Sequence, residues 1–199
     1  MLRSWLRHGL TMTLAFAFRA SGVLVLSSSL FANSAMLNAE GKTESEVRAA
    51  FLVVFAKYTQ WPDRILSAEG EDFVVGVLGD DPLVTALKAL HDGRVMGRKL
   101  VVKRFSTPAD VQRCHVLFFP KGQEQHFPGM RDKLAAQSVL TVGETPRFCE
   151  LGGALGLVEE SSRLRFIVNL TALEQAHLRV EPKALRLAKS IISKPSAQP

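Results

Sequence analysis

Cysteine is scarce in this chain of 199 residues, which contains only Cys114 and Cys149. The two form no C-x-x-C pair and no cluster with histidines, so the sequence predicts no metal site and no cofactor. Cys114 opens one predicted strand, whereas Cys149 follows the next one, and in a parallel sheet these positions lie at opposite ends. Two buried thiols are therefore favoured, and a single disulfide is the alternative.

The motifs of nucleotide-dependent enzymes and serine hydrolases are also missing. The segment 76–81 (GVLGDD) lacks the third glycine of a dinucleotide fingerprint, and the chain has neither a Walker A lysine motif nor a G-x-S-x-G elbow. The histidines lie in unrelated predicted elements. His115 directly follows Cys114, but neighbouring residues of a strand point to opposite faces, so the two are not predicted to act together. The sequence predicts no catalytic residue, and an exported enzyme of unrecognised chemistry is a rival interpretation.

The first 39 residues contain three arginines but no acidic residue. An apolar stretch over residues 20–30 is followed by small side chains, the pattern that precedes a signal peptidase site. We therefore predict a secretory signal peptide over residues 1–34, cleavage between Ser34 and Ala39, and a periplasmic location.

An uncleaved membrane anchor over Leu10–Leu30 is the alternative to this signal peptide. Arg19 lies near the middle of that stretch and would cost about 2.5–3.5 kcal/mol on insertion, which argues against a stable span. No later run approaches the roughly 18 apolar residues that a membrane helix needs. Export would therefore release a soluble protein.

The charge of the exported protein is mild. The full chain has a formal charge of +6, and removal of residues 1–39 leaves 22 basic and 19 acidic residues. The sequence shows no stripe of lysine and arginine with interleaved aromatic residues, so we do not predict nucleic-acid binding.

An amphipathic helix is predicted to run from Glu46 into a Trp61-Pro62 stop. Thr43 and Glu46 have the spacing of a capping box, and Pro62 should end the helix by Gln60. The periodicity predicts one apolar face, which consists of Val47, Ala50, Phe51, Val54, Phe55 and Tyr58.

Strands and helices then alternate along the chain. The predicted strands are Phe73–Gly79, Lys99–Phe105, Cys114–Phe119 and Ser138–Val142. This order predicts an α/β fold with a mostly parallel sheet and helices on both faces. The predicted domain covers residues 40–192, and a polar tail covers residues 193–199.

The end of the domain has a different pattern. Ala154–Glu159 and Arg163–Leu170 have the spacing of a C-terminal antiparallel hairpin. A last helix is predicted from Glu181, with Leu185, Ala188, Ile191 and Ile192 as its apolar face.

The order of motifs resembles that of the YfiR-like periplasmic proteins, a family that includes YfiR and HmsC. The resemblance covers roughly residues 44–192. The matching motifs are F-x-K-x-x-x-W-P at 55–62, V-G-V-L-G at 75–79, C-H followed by apolar residues at 114–118, Gly152-Gly153, R-F-x-x-N at 165–169 and A-L-R-L-A at 184–188.

This resemblance implies regulation rather than catalysis. The best-known members repress an inner-membrane diguanylate cyclase by binding its periplasmic domain, and an outer-membrane OmpA-like lipoprotein releases them. Cyclic di-GMP and biofilm formation are thereby controlled. A second copy of the chain is a further candidate partner. Some members carry four cysteines in two disulfides, so the two cysteines here do not imply that stabilisation.

The candidate partner-binding residues are Trp61, Arg163, Arg165, Phe166 and Arg179. Arginines beside apolar residues are typical of a protein interface. The alternative is that Phe166 and Trp61 belong to the core and that the arginines are merely solvated. A rival function is that of a periplasmic small-ligand sensor, with a site at the carboxyl ends of the strands near Asp80 and Asp81.

Overall fold

The computed structural model describes residues 41–66, 70–90, 93–161 and 163–193. The predicted signal peptide lies outside these residues, as does the predicted tail beyond Ser193.

The first helix has the predicted cap, but it begins two residues before Glu46 and ends three residues before Gln60. Helix α1 spans Glu44–Lys57, and the side chains of Thr43 and Glu46 form the predicted capping box. Glu46 accepts a hydrogen bond from the Thr43 amide at 2.7 Å. Strand β1 (Thr59–Gln60) follows at once and leads into Trp61 and Pro62.

The predicted apolar face of α1 is wrong in part, although Phe55 is buried as predicted. Val47 and Val54 are 38 % and 50 % exposed, whereas the inward face contains Arg48, Ala49, Leu52, Phe55 and Ala56. Residues 49–56 are apolar without interruption, so the periodicity could not select one face. The orientation is set instead by what lies against the helix.

The remaining elements follow in chain order. The strands are β2 (Phe73–Leu78), β3 (Arg94–Val95), β4 (Arg98–Phe105), β5 (Val116–Phe119), β6 (Leu140–Gly143), β7 (Leu155–Glu160), β8 (Arg163–Asn169), β9 (Arg179–Val180) and β10 (Ser190–Ile192). The helices are α2 (Leu83–Lys88), α3 (Phe127–Ala136), α4 (Pro146–Glu150), α5 (Leu170–Gln175) and α6 (Pro182–Leu185), with single 3₁₀ turns at Pro108–Asp110 and Glu124–His126.

Eight strands form one sheet in the order β10-β8-β7-β6-β5-β2-β4-β3, and β1 pairs with β9 in a separate ribbon. The α/β class is confirmed, but the sheet is mixed rather than mostly parallel. Among the described strands, β3–β4 and β7–β8 are antiparallel, and the other five neighbouring pairs are parallel. The β7–β8 hairpin was predicted, whereas the short strand β3 was not.

The end of the chain corrects a second prediction. Helix α6 has a single turn, and the predicted apolar helix face is replaced by β10, which pairs in parallel with β8. Ile191 is 46 % exposed. Residues with high β propensity thus extend the sheet instead of continuing the helix.

The sheet separates the two larger apolar clusters of the described residues. One cluster packs α1, α2 and α5 against one face, and it contains Leu52, Phe73 and Phe118. The other packs α3 and α4 against the opposite face around Phe127 and Phe148. Helices therefore cover both faces, and the strand ends form the site described next.

Candidate functional site

A cleft of about 370 Å³ lies at the carboxyl ends of the central strands. Asp81 follows β2, Lys121 follows β5 and Glu144 follows β6, while α1 supplies Glu44 and Arg48. Strand β2 has β4 on one side and β5 on the other, so the chain changes direction across the sheet at this point. Open α/β sheets bind ligands at such a switch point.

Arg48 is the centre of this cleft. Arg48 is only 8 % exposed, although its side chain is charged. Nη1 is hydrogen-bonded to the Glu144 carboxylate and lies 3.7 Å from Oδ2 of Asp81. Nε lies 3.8 Å from a carboxylate oxygen of Glu44. A buried guanidinium requires such partners, because an unpaired charge is costly to remove from water.

The carboxylates of this cleft also hold the surrounding loops. Oδ1 of Asp81 accepts the Leu83 amide at 2.8 Å at the start of α2. The second carboxylate oxygen of Glu144 accepts the Lys121 amide at 2.6 Å. Arg48 therefore joins α1 to the loops that follow β2, β5 and β6.

A further carboxylate, that of Glu124, holds the backbone of Glu144. Glu124 is buried, and its Oε1 accepts the amides of Glu144 and Thr145 at 2.6 and 2.9 Å. A Cβ at Gly143 would lie 2.3 Å from Cγ of the buried Phe148 ring and 2.6 Å from that oxygen, so the close packing here requires glycine. Glu124 thereby fixes the Glu144 backbone, and the Glu144 side chain is held beside Arg48.

The rest of the cleft is amphipathic. Leu157, Val158 and Leu164 supply an apolar wall, and Glu159 and Lys121 add charges at its edge. Charged side chains on one side of the cleft and an apolar wall on the other suit a small polar molecule better than a purely apolar one. The prediction of a ligand site near Asp80 and Asp81 thus coincides with a real cleft, whereas Asp80 itself is exposed.

Sequence reasoning missed Arg48 and Glu144. A usable signal was present for Arg48, because it directly precedes the uninterrupted apolar run 49–56 and so had to be accommodated near the core. Glu144 carried no such signal, since it lies 96 positions away in the sequence.

The predicted partner-binding residues divide into two groups. Trp61 and Phe166 are 9 % and 6 % exposed and belong to the core. The Trp61 ring meets Phe73 edge-on at 5.5 Å, and Phe166 packs against the rings of Phe51 and Phe55 at 5.1 and 5.4 Å. Neither residue presents a large area to a partner.

The three arginines are exposed. Arg163 and Arg165 lie on β8, opposite Glu160 and Val158 of β7, whereas Arg179 lies on β9 in the separate ribbon. None of the three forms an ion pair within the described residues. The arginines therefore keep their charge available at the surface.

The cysteines are free thiols and both are buried, as favoured above. Burial raises the pKa of each thiol to about 12. His115 accepts the Val74 amide at Nδ1 at 3.0 Å and stacks on Phe73 at 4.8 Å. Burial lowers the pKa of His115, so its imidazole is held neutral.

Neither a metal-binding cluster nor a membrane-spanning helix is found among the described residues. No group of three or more histidine, cysteine, aspartate or glutamate side chains in them is arranged to hold a metal. No helix in this part of the chain combines the length and the apolarity that a membrane crossing requires.

The sequence profile of a family described as YfiR/HmsC-like matches residues 45–189. A conserved domain protein from Vibrio cholerae O1 biovar El Tor has a similar structure, with a TM-score of 0.51 and 16 % identity over 75 % of this chain. The match spans 60 % of that protein, and it shows the fold alone. An ABC domain in complex with L-Trp from Streptococcus pneumoniae gives a TM-score of 0.48 and 11 % identity, over 60 % of this chain and 55 % of that one. None of the curated proteins matches.

Proposed function

We propose that this chain, which belongs to the YfiR/HmsC-like family, is a periplasmic regulator that binds and represses an inner-membrane diguanylate cyclase. The family match carries this proposal, since it covers residues 45–189 and so nearly all the described fold. The family is one of regulators rather than enzymes.

Repression by binding needs a surface whose affinity differs between two states of the partner. The exposed side chains of Arg163, Arg165 and Arg179 support such a surface, because no ion pair within the described residues neutralises them. We infer that they meet acidic groups on the periplasmic domain of the cyclase. Such contacts at the rim of an interface mainly govern association rate and specificity.

Release of the cyclase completes the proposed regulation. An OmpA-like outer-membrane lipoprotein would compete for this protein and thereby free the cyclase. A homodimer would be a second way to occupy the same surface.

Deletion of the gene tests the proposal in a strain that carries the cyclase. We expect cyclic di-GMP and surface attachment to rise, and the wild-type gene to restore both. A variant with Arg163→Glu, Arg165→Glu and Arg179→Glu should fail to restore them although it folds. Arg113→Glu, an exposed reversal before β5, should restore them fully.

Unchanged cyclic di-GMP after deletion would contradict repression. Full restoration by the triple variant would leave repression intact but would remove the arginines from its mechanism.

The strand-end cleft favours a second candidate function, that of a periplasmic sensor for a small ligand. The cleft offers about 370 Å³ beside Arg48, Asp81 and Glu144 at the switch point of the sheet. A panel of periplasmic metabolites should then include one that raises the melting temperature of the protein. That increase should disappear in Leu164→Asp, which alters the apolar wall; no stabilisation by any member would count against a sensor.

A further inference from the structure

The outer edge of β4 is mostly open. Strand β3 has only two residues and pairs with Arg98 and Lys99 of β4. On its inner side, β4 pairs with β2 over Leu100–Phe105. In the described part of the chain, the outer side of residues 101–105 therefore faces no strand.

The backbone hydrogen bonds show which residues of β4 direct their N–H and C=O groups to the open edge. The Leu100 amide donates outward to Gly93 at 2.7 Å, whereas the Phe105 carbonyl accepts inward from Gly79 at 2.7 Å. Backbone groups of successive residues alternate in direction along a strand. Val102 and Arg104 therefore point their N–H and C=O groups outward, and no backbone partner within the described residues meets them.

This edge is also strongly cationic. Residues 93–105 contain five lysines and arginines and no acidic residue. Lys99 and Arg104 are exposed and Lys103 is half-buried, and none of the three forms an ion pair in the described structure. The side chains of Lys99, Val101 and Lys103 lie on one face of the sheet, and that of Arg104 lies on the other. Cations therefore flank both sides of the open edge.

Cations on an edge strand are known to oppose edge-to-edge pairing of identical chains. Two copies joined at β4 would bring these lysines and arginines together, and like charges on paired strands are destabilising. The same charges favour an acidic strand, because it would neutralise them while its backbone pairs with Val102 and Arg104. The edge is therefore selective for one kind of occupant.

We propose that the outer edge of β4 binds an acidic, extended segment of another protein by β-strand addition. This inference goes beyond the proposed repression. It concerns an edge that is separated in the sheet order from β8 by β7, β6, β5 and β2, so either proposal can fail without the other.

A short peptide of alternating glutamate and valine is a direct probe of this edge. Its binding to the purified protein can be measured by fluorescence anisotropy at low and at physiological salt. We expect binding that weakens as salt increases, and none by the matched peptide of alternating lysine and valine. The double variant Lys103→Glu and Arg104→Glu should weaken binding of the acidic peptide by roughly tenfold or more.

Backbone pairing needs its own test, since charge alone would attract the peptide to any cationic surface. Val102→Pro removes an amide that points away from β2, so the sheet can keep its inner pairing. We expect it to weaken peptide binding roughly fivefold relative to Val102→Ala, which keeps the amide. The acidic peptide with N-methylated backbone amides makes the same test without altering the protein.

The outcomes separate the interpretations. Loss of binding with Val102→Pro and with the N-methylated peptide supports strand addition. Unchanged binding of the N-methylated peptide would overturn it and leave a merely electrostatic surface. Equal binding of phosphatidylglycerol vesicles, lost on charge reversal but not with Val102→Pro, would identify an anionic membrane as the occupant and would also overturn it. No binding of the acidic peptide at low salt would overturn it outright.

Discussion

Arg48 and the two arginines of β8, Arg163 and Arg165, lie in opposite environments. Arg48 is buried beside three carboxylates, and two of these, those of Asp81 and Glu144, also bind loop amides. Arg163 and Arg165 are exposed and form no ion pair with any described residue. The first environment fixes the fold, whereas the second leaves a charge available to a partner.

Residue type alone therefore does not identify a functional arginine. A buried, paired guanidinium is destabilising to remove, because its carboxylate partners then remain unpaired. An exposed guanidinium contributes little to stability, so its removal should be visible only when a partner is present. Stability and regulation should therefore respond to different arginines.

The largest effect is expected at Phe166, which lies between Arg165 and the aromatic cluster of α1. Phe166→Ala should reduce the free energy of unfolding by about 3–5 kcal/mol, because it leaves a cavity beside Phe51 and Phe55. Urea denaturation measures this. A loss below about 1 kcal/mol would indicate a surface residue instead and would favour a direct role in binding.

The next effect is expected at Arg48. Arg48→Met keeps much of the side-chain volume but leaves Asp81 and Glu144 without their cation, and it should cost about 3 kcal/mol. Combining it with Glu144→Gln should recover part of that loss, since one unpaired charge is removed. Independent, additive losses in the double variant would show that the two side chains are not coupled.

A pH-dependent effect of smaller size is expected at His115. Because burial lowers its pKa, the unfolded chain takes up a proton near pH 6.5 that the folded protein does not accept. The free energy of unfolding should fall as the pH drops below about 6.5, and this part of the slope should be absent in His115→Asn.

Two carboxylates have lowered pKa values, and their titration does not overlap the pH range in which His115 acts on stability. The Thr43 amide lowers the pKa of Glu46, and the Lys189 hydrogen bond lowers the pKa of Glu160. Both titrate at lower pH and are present in the wild-type protein and the variant alike. Identical slopes for the two proteins between pH 7 and 5 would show that His115 is not the responsible group.

The smallest change in stability is expected at the exposed arginines. Arg165→Glu should alter the free energy of unfolding by no more than about 0.5 kcal/mol, while it weakens binding to the cyclase periplasmic domain. Calorimetric titration with that domain measures the second effect, with Arg113→Glu as control. A large loss of stability would place Arg165 with Arg48 and remove the contrast between them.

Much of the fold was predictable because its signals are local. The capping box at Thr43 and Glu46, the apolar strands β2 and β5, and the β7–β8 hairpin each depend on neighbouring residues. Strands β1, β3, β9 and β10 were missed, since each has three residues or fewer and is stabilised by a partner strand rather than by its own pattern. The cleft was anticipated only through Asp81.

The sequence by itself determined the α/β class and the resemblance to one regulatory family, and it favoured two unpaired thiols over a disulfide. Only the tertiary structure decided which side of α1 faces inward and which arginine is paired. The physical reason is that residues 49–56 of α1 are apolar on every side, so only contacts in the folded protein, among them those of Arg48 with its carboxylates, distinguish an inward face. Those carboxylates, Asp81 and Glu144, come from distant loops that meet only in the folded sheet.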